Sequence, residues 1–266
     1  MKRQSSLVVA VIMLATLSRG ARPIAAGNAE ILWDKYGVPH IFAPDRESMF
    51  YAHGWAQMQG QANLLLRLYG ESRGRASEYW GPGNSNLEQD RWFHLNEVPE
   101  RAQTWYDAQD RTFRTYLDAF ARGINDYGRA HPEAIKPENR AVLPVSGVDV
   151  VMHSLRVVHY GYMASRDRMQ REVNALRRGG GNTAAAGVAG LTPEEQELAG
   201  GSNTWTIGPP HSASGNAMLL INPHLAWGET FYRYMETHVV APDYDLYGAP
   251  QVGFPTAVVG FNRHAG

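Results

Sequence analysis

The sequence predicts an α+β fold in which helices layer on a sheet. Three observations carry this. Phe113, Tyr116, Leu117, Phe120, Ala121, Ile124 and Tyr127 recur at helical spacing, opposite Asp110, Arg111, Arg114, Asp118 and Arg122. The text after Ser202 falls instead into short alternating or apolar runs of strand length. Between the two lies a composition break over 179–201, dominated by Gly, Ala and Thr and closed by an acidic patch at Glu194, Glu195 and Glu197. Helical text first and sheet-rich text second suits a layered α+β architecture.

The elements follow in order. Lys2 and Arg3 precede an apolar run, Leu7 to Leu17, too short to span a bilayer, and small residues follow at Ala25, Ala26 and Gly27. Residues 1–26 therefore read as a signal peptide, and the protein as periplasmic or secreted with no stable membrane anchor. Two short strands flank Tyr36-Gly37, within 29–43. Phe50, Gly54, Met58, Ala62 and Leu65 mark a helix from Ser48, closed by Gly70 and Gly74. A second helix is expected over Pro99 to Tyr127, ended by His131-Pro132, and a third over Val150 to Arg178. This gives a helical region over 27–178, a linker or excised spacer over 179–201, and a sheet-rich region over 202–266. Within the last, strands are expected at Asn203 to Ile207, at Met218 to Ile221 as a buried run, at Phe231 to Val240, and at Ala257 to Phe261. The final strand has no helix to cover it, so the sheet is expected to be incomplete.

Composition narrows the chemistry. A net charge of -1 gives no electrostatic reason to expect nucleic acid as a partner. With no cysteine there is no disulfide framework, thiol nucleophile or thiolate metal site. The ten histidines are scattered, and none forms a recognisable metal-spacing pair in the sequence. Gly-x-Ser-x-Gly, Gly-x-x-x-x-Gly-Lys, His-Glu-x-x-His and the dinucleotide fingerprint are all absent. What remains is Ser202, just after Gly200-Gly201, at the border between the break and the strands. A serine hydroxyl needs a base beside it. Cleavage of Gly201-Ser202 would give Ser202 a free α-amine, which titrates near neutral pH, at roughly 7.7–8.0. One residue would then supply both nucleophile and base. By spacing alone, most Gly-Gly-Ser triplets are ordinary linkers.

Gly201-Ser202-Asn203-Thr204-Trp205, Asn222-Pro223-His224-Leu225, Tyr36-Gly37-Val38-Pro39-His40-Ile41, and Gly74-Arg75-Ala76 with Trp80-Gly81 appear in that order. Together they resemble the penicillin amidase family of N-terminal-nucleophile hydrolases. Asn-Pro-His followed by Trp227, Phe231-Tyr232-Arg233 and His238 resembles most the branch that acts on acyl-homoserine lactones and on lipopeptides such as aculeacin. The resemblance implies an αββα layered fold, incomplete in this chain. It implies an amidohydrolase precursor that cleaves itself between Gly201 and Ser202 and persists as a heterodimer of its own α and β chains. Its catalytic residues would be Ser202, as the acylated nucleophile, with His224 and Asn203 ordering the new terminus. Leu225, Tyr232 and Val258 would line a pocket for a small-molecule acyl amide. No cofactor is implied for catalysis. Glu172 matches a carboxylate that binds a structural calcium in relatives, with its aspartate partners and the oxyanion donors expected beyond Gly266. A penicillin or cephalosporin acylase, a non-catalytic exported domain binding an apolar ligand, and an inactive fragment remain as alternatives.

Overall fold

The computed structural model describes residues 24–83, 85–163, 166–177, 202–225, 228 and 230–266. The expected signal peptide thus lies outside the described residues except for 24–26, and so do the spacer, Gly201 and Trp227. Among the described residues no helix is long and apolar enough to cross a membrane.

The fold is α+β: one helical layer packs on a mixed six-stranded sheet, and a separate two-stranded ribbon stands beside them. The sheet draws on both ends of the chain. Its order is β1 (Ile24–Ala26), β2 (Ala29–Trp33), β3 (Pro39–Phe42), β6 (Thr237–Ala241), β7 (Tyr244–Ala249) and β8 (Val259–Phe261). Every neighbour is antiparallel except β3 and β6, whose parallel register pairs His40 with His238 and Ile41 with Val239. That seam joins the segment before the composition break to the segment after it. The division into a helical region over 27–178 and a sheet-rich region over 202–266 is thus crossed by the sheet itself. The N-terminal strands expected around Tyr36-Gly37 are its other half, and Gly37 makes their turn at φ +81.

Helix α1 (Arg46–Ser72) lies across the sheet, capped at its start by Asp45, which accepts from the Ser48 N–H at 2.7 Å. Met58, Leu65, Leu66 and Tyr69 are fully buried, together with Ile31 and Ile41 of the sheet. Against α1 packs α5 (Arg111–Ala130), at a crossing close enough to need glycine on both helices. A Cβ on Gly54 would sit 2.1 Å from the Phe120 carbonyl oxygen, and one on Gly123 would sit 2.0 Å from that of Tyr51.

The single helix expected over Pro99 to Tyr127 is two: α4 (Val98–Asp107) and α5. Asp110 takes extended backbone at φ -62, ψ 158 and accepts from the Phe113 N–H at 2.9 Å, so it starts a new helix inside the periodic stretch. The third helix is also divided. A capping box at Ser146 and Asp149 opens α6 (Gly147–Leu155), a π-helical turn follows over Arg156–Met163, and α7 spans Arg166–Arg177. The short helices α2 (Ala76–Trp80) and α3 (Asn86–Leu95) carry too few turns for a periodic signal and were not expected.

Phe231 to Val240 is not one strand. The Thr230 hydroxyl accepts from the Tyr232 N–H and the Thr230 carbonyl from the Arg233 N–H, so a local turn holds 230–233, and only an isolated bridge between Tyr234 and Gln251 precedes the ladder at Thr237.

One buried network fixes the loop between β7 and β8. Tyr69 donates its hydroxyl to the Gly253 carbonyl at 2.7 Å, while the Gly253 N–H donates to Gln57 Oε1 at 2.8 Å. Gln57 Nε2 donates to the Phe254 carbonyl at 2.8 Å. His153 Nε2 donates to the Val252 carbonyl at 3.0 Å and His53 Nδ1 to that of Pro255 at 3.2 Å. Four buried side chains from α1 and α6 thereby satisfy consecutive backbone groups of a loop that passes through the core, where an unpaired group would cost about 1–3 kcal/mol. Burial pushes His153 down to about 3 and His53 down to about 4, so both rings are neutral.

Candidate functional site

The ribbon is built from β4 (Ser202–Ile207) and β5 (Met218–Pro223), antiparallel, with Ser202 opposite Pro223, Asn203 opposite Asn222 and Trp205 opposite Leu220. Ser202 opens the first strand at the ribbon's free end. His224 immediately follows the second strand. Register alone therefore gathers Ser202, Asn203, Asn222 and His224 from two segments about twenty residues apart.

Side chains alternate across a strand, so Ser202 projects from one face and Asn203 with Asn222 from the other. His224 joins the second face. Its Nε2 lies 3.0 Å from Asn203 Nδ2 and 3.3 Å from Asn222 Nδ2. An imidazole nitrogen accepting from an amide carries a lone pair, which puts the ring proton of a neutral His224 on Nδ1. Among the described residues no hydrogen bond joins His224 to Ser202. In this arrangement His224 braces the two strand ends through their asparagines and sets the backbone from which the serine projects.

The other expected residues are dispersed. Leu225 is half-buried just past β5. Tyr232 is half-buried in the turn at Thr230, its ring centre 4.0 Å from that of Phe231. Val258 is half exposed, and its N–H donates to the Ala249 carbonyl at 3.2 Å. A polar cleft of about 720 Å³ opens where the first turns of α1 and α5 meet, lined by Arg46, Ser48, Arg111 and Thr115 among others. A much smaller cavity lies under the sheet, between Phe50, His53 and Leu246. Leu225, Tyr232 and Val258 line neither one.

Glu172 falls in α7, and its side chain lies outside the described residues. Calcium takes six to eight oxygen ligands. Among the described residues no group of three or more His, Asp or Glu side chains is placed to hold a metal ion. The donor set for the implied calcium is thus not present among these residues, and no step of chemistry is routed through it.

The fold and the ordered motifs around Ser202 and His224 define a class, and comparison with known proteins names it. The chain belongs to the penicillin amidase family, whose sequence model matches residues 28–266. It is 29% identical to the acyl-homoserine lactone acylase PvdQ of Pseudomonas putida (strain KT2440), an alignment that covers 97% of this chain and 35% of that protein. It is 26% identical to the aculeacin-A acylase of Actinoplanes utahensis, again over 97% of this chain and 35% of the relative. The chain thus spans about a third of the length of these curated relatives. Among solved structures, a thermostable penicillin G acylase from Alcaligenes faecalis aligns at a TM-score of 0.47 and 22% identity, covering 59% of this chain and 87% of that one.

Proposed function

We propose that this chain is the first part of an exported amidohydrolase precursor that cleaves its own Gly201-Ser202 bond and then hydrolyses a fatty-acyl amide through an acyl-Ser202 ester. The observation that carries the reading is Ser202 as the first residue of β4, at the ribbon end braced by Asn203, Asn222 and His224. Family membership and the names of the relatives support the reaction class.

The chemistry balances. Ser202 Oγ attacks the Gly201 carbonyl carbon, the peptide C–N bond breaks, and the nitrogen takes the hydroxyl proton. The resulting ester is hydrolysed by water, leaving a Gly201 carboxylate and a Ser202 that bears both a hydroxyl and an α-amine. In turnover the amine accepts the Oγ proton as Oγ attacks the substrate carbonyl, then returns a proton to the departing nitrogen. Water releases the acid by the same route. The α-amine, at roughly 7.7–8.0 in model compounds, is poised to act as this base near neutral pH. His224 and Asn203 are positioning residues, holding the strand end on which both groups sit. Leu225, Tyr232 and Val258 would contact the acyl chain. The segment over 27–178 would become the α chain, 202–266 the start of the β chain, and 179–201 the spacer between them. Glu172 would contribute to a structural calcium in the complete protein.

The substrate reading follows the relatives: an acyl-homoserine lactone or an acylated peptide. Penicillins and cephalosporins are the second reading, which the family name favours. Mass spectrometry of the full-length gene product tests the first step. The expected result is a chain whose first residue is Ser202, absent in Ser202→Ala. An active enzyme with Gly201-Ser202 intact would end the proposal. Asn203→Ala and His224→Ala should slow processing and kcat while leaving the isolated chain's thermal unfolding within about 1 kcal/mol of the parent, because the ribbon they brace is exposed.

A further inference from the structure

The parallel seam between β3 and β6 places His40 and His238 side by side on the sheet face away from α1, though 198 residues separate them. Their Nδ1 atoms lie 3.1 Å apart. The ring centres are 5.3 Å apart with the planes at 89°, so the two Nδ1 atoms point nearly head-on. Each ring's other nitrogen faces a carboxylate. His238 Nε2 is 3.1 Å from Asp245 Oδ1, and His40 Nε2 is 3.8 Å from Asp34 Oδ2.

Asp34 is itself held in place. Its Oδ1 accepts from the N–H groups of Tyr36 and Val38 at 2.8 and 2.9 Å, which turns Oδ2 toward the ring. Tyr247 packs beside both rings, and its hydroxyl is spent on Glu236. Arg263 Nη2 reaches the outer oxygen of Asp245 at 3.8 Å.

The Asp245 carboxylate favours the Nε2–H form of His238, which leaves its Nδ1 as an acceptor at hydrogen-bond distance from the Nδ1 of His40. A cation bound by both Nδ1 atoms would displace the proton shared between them. A carboxylate behind each imidazole is also the arrangement that orients metal-binding histidines. We infer that His40 and His238 form a two-histidine site for a divalent transition-metal ion such as Zn²⁺, bound through both Nδ1 atoms with water completing the shell and with Asp34 and Asp245 fixing the rings. Metal–nitrogen bonds of about 2.0–2.1 Å place two ligand nitrogens about 2.9 Å apart at a right angle and about 3.3 Å apart at a tetrahedral one. The observed 3.1 Å lies between these. The ion would sit beside the line joining the nitrogens, and each ring, about a quarter exposed, would rotate slightly from its head-on orientation to meet it. Imidazole donors select Zn²⁺, Cu²⁺ and Ni²⁺ over Ca²⁺ and Mg²⁺. The ion would bridge the segments before and after Ser202, so it would stabilise their seam without entering the chemistry of the serine.

Titration of the full chain with ZnCl₂, by calorimetry and by thermal unfolding, tests this. One equivalent should bind, and a hundredfold excess over Kd should raise Tm by roughly 5–10 °C. His40→Gln and His238→Gln should each abolish both signals. Asp245→Asn, which keeps both ligands and the fold, should weaken binding by about 10–100-fold. CaCl₂ should give neither signal. Ser202→Ala should bind Zn²⁺ like the parent, which separates this site from the proposed reaction. Equal Zn²⁺ binding by the parent and both histidine variants would overturn the assignment. So would a parent chain that binds no Zn²⁺ and holds only a shared proton between the rings.

Discussion

Strands β5 and β6 come from the same stretch of chain and meet opposite fates. Met218-Leu219-Leu220 of β5 is the more apolar text, yet these side chains are 54%, 36% and 50% exposed. Thr237-His238-Val239-Val240-Ala241 of β6 is the more polar, yet Thr237, Val239 and Ala241 are buried. The difference is a partner. β6 has β3 and β7 on its edges and α1 on its face, whereas β5 has β4 on one edge and, among the described residues, no helix packed closely enough to bury Met218, Leu219 or Leu220. Apolar sequence creates a demand for burial, and only tertiary contact meets it.

Substitutions can break or sharpen that contrast. The largest loss should come where α1 is tied to the start of α6. Arg73 donates to both carboxylate oxygens of Asp149 at 2.6 and 3.0 Å and to the carbonyls of Val142 and Pro144. Arg73→Ala strands a nearly buried Asp149 and should cost about 3–5 kcal/mol in urea unfolding. A loss below about 1 kcal/mol would mean that the helical layer is no better anchored than the ribbon.

Next comes Gly54→Ala, which forces a methyl into the α1–α5 crossing and should cost at least about 1–3 kcal/mol.

Acid should attack the buried network rather than the ribbon. His53 and His153 are held at about 4 and about 3, below the roughly 6.5 of an unfolded histidine. The unfolded chain therefore takes up protons first. The contribution of the neutral rings is fully present above about pH 6.5 and is lost as pH falls through about 4 for His53 and about 3 for His153, by up to about 2.7 kcal/mol per pH unit where both take up a proton. A second proton on His53 would also face the Gln57 amide, whose Nε2 lies 3.1 Å from His53 Nε2. His153→Gln should flatten the acid limb by one proton, and an unchanged slope would show that the network does not govern it.

The smallest effect belongs to the ribbon. Leu220→Ser should change the unfolding free energy of this chain by no more than about 0.5 kcal/mol. A loss above about 2 kcal/mol would show that β5 is packed in solution.

The sequence by itself determined most local elements. The N-terminal hairpin, α1, the amphipathic face of α5 and both ribbon strands follow from periodicity and turn residues. It also determined the family, through motifs that surround Ser202, and with it the expected nucleophile. Local periodicity could not place the boundary that Asp110 makes within one continuous stripe. Nor could it show the turn at Thr230 that shortens β6. Hydrophobicity misjudged β5, because burial depends on what lies opposite.

The tertiary structure decided the rest. It made one sheet from both ends of the chain. It fastened the β7–β8 loop with His53, Gln57, Tyr69 and His153. It also turned two of the scattered histidines, His40 and His238, into a pair. Strand order and register are set by contacts between residues some two hundred positions apart, and no local pattern of residues encodes that separation.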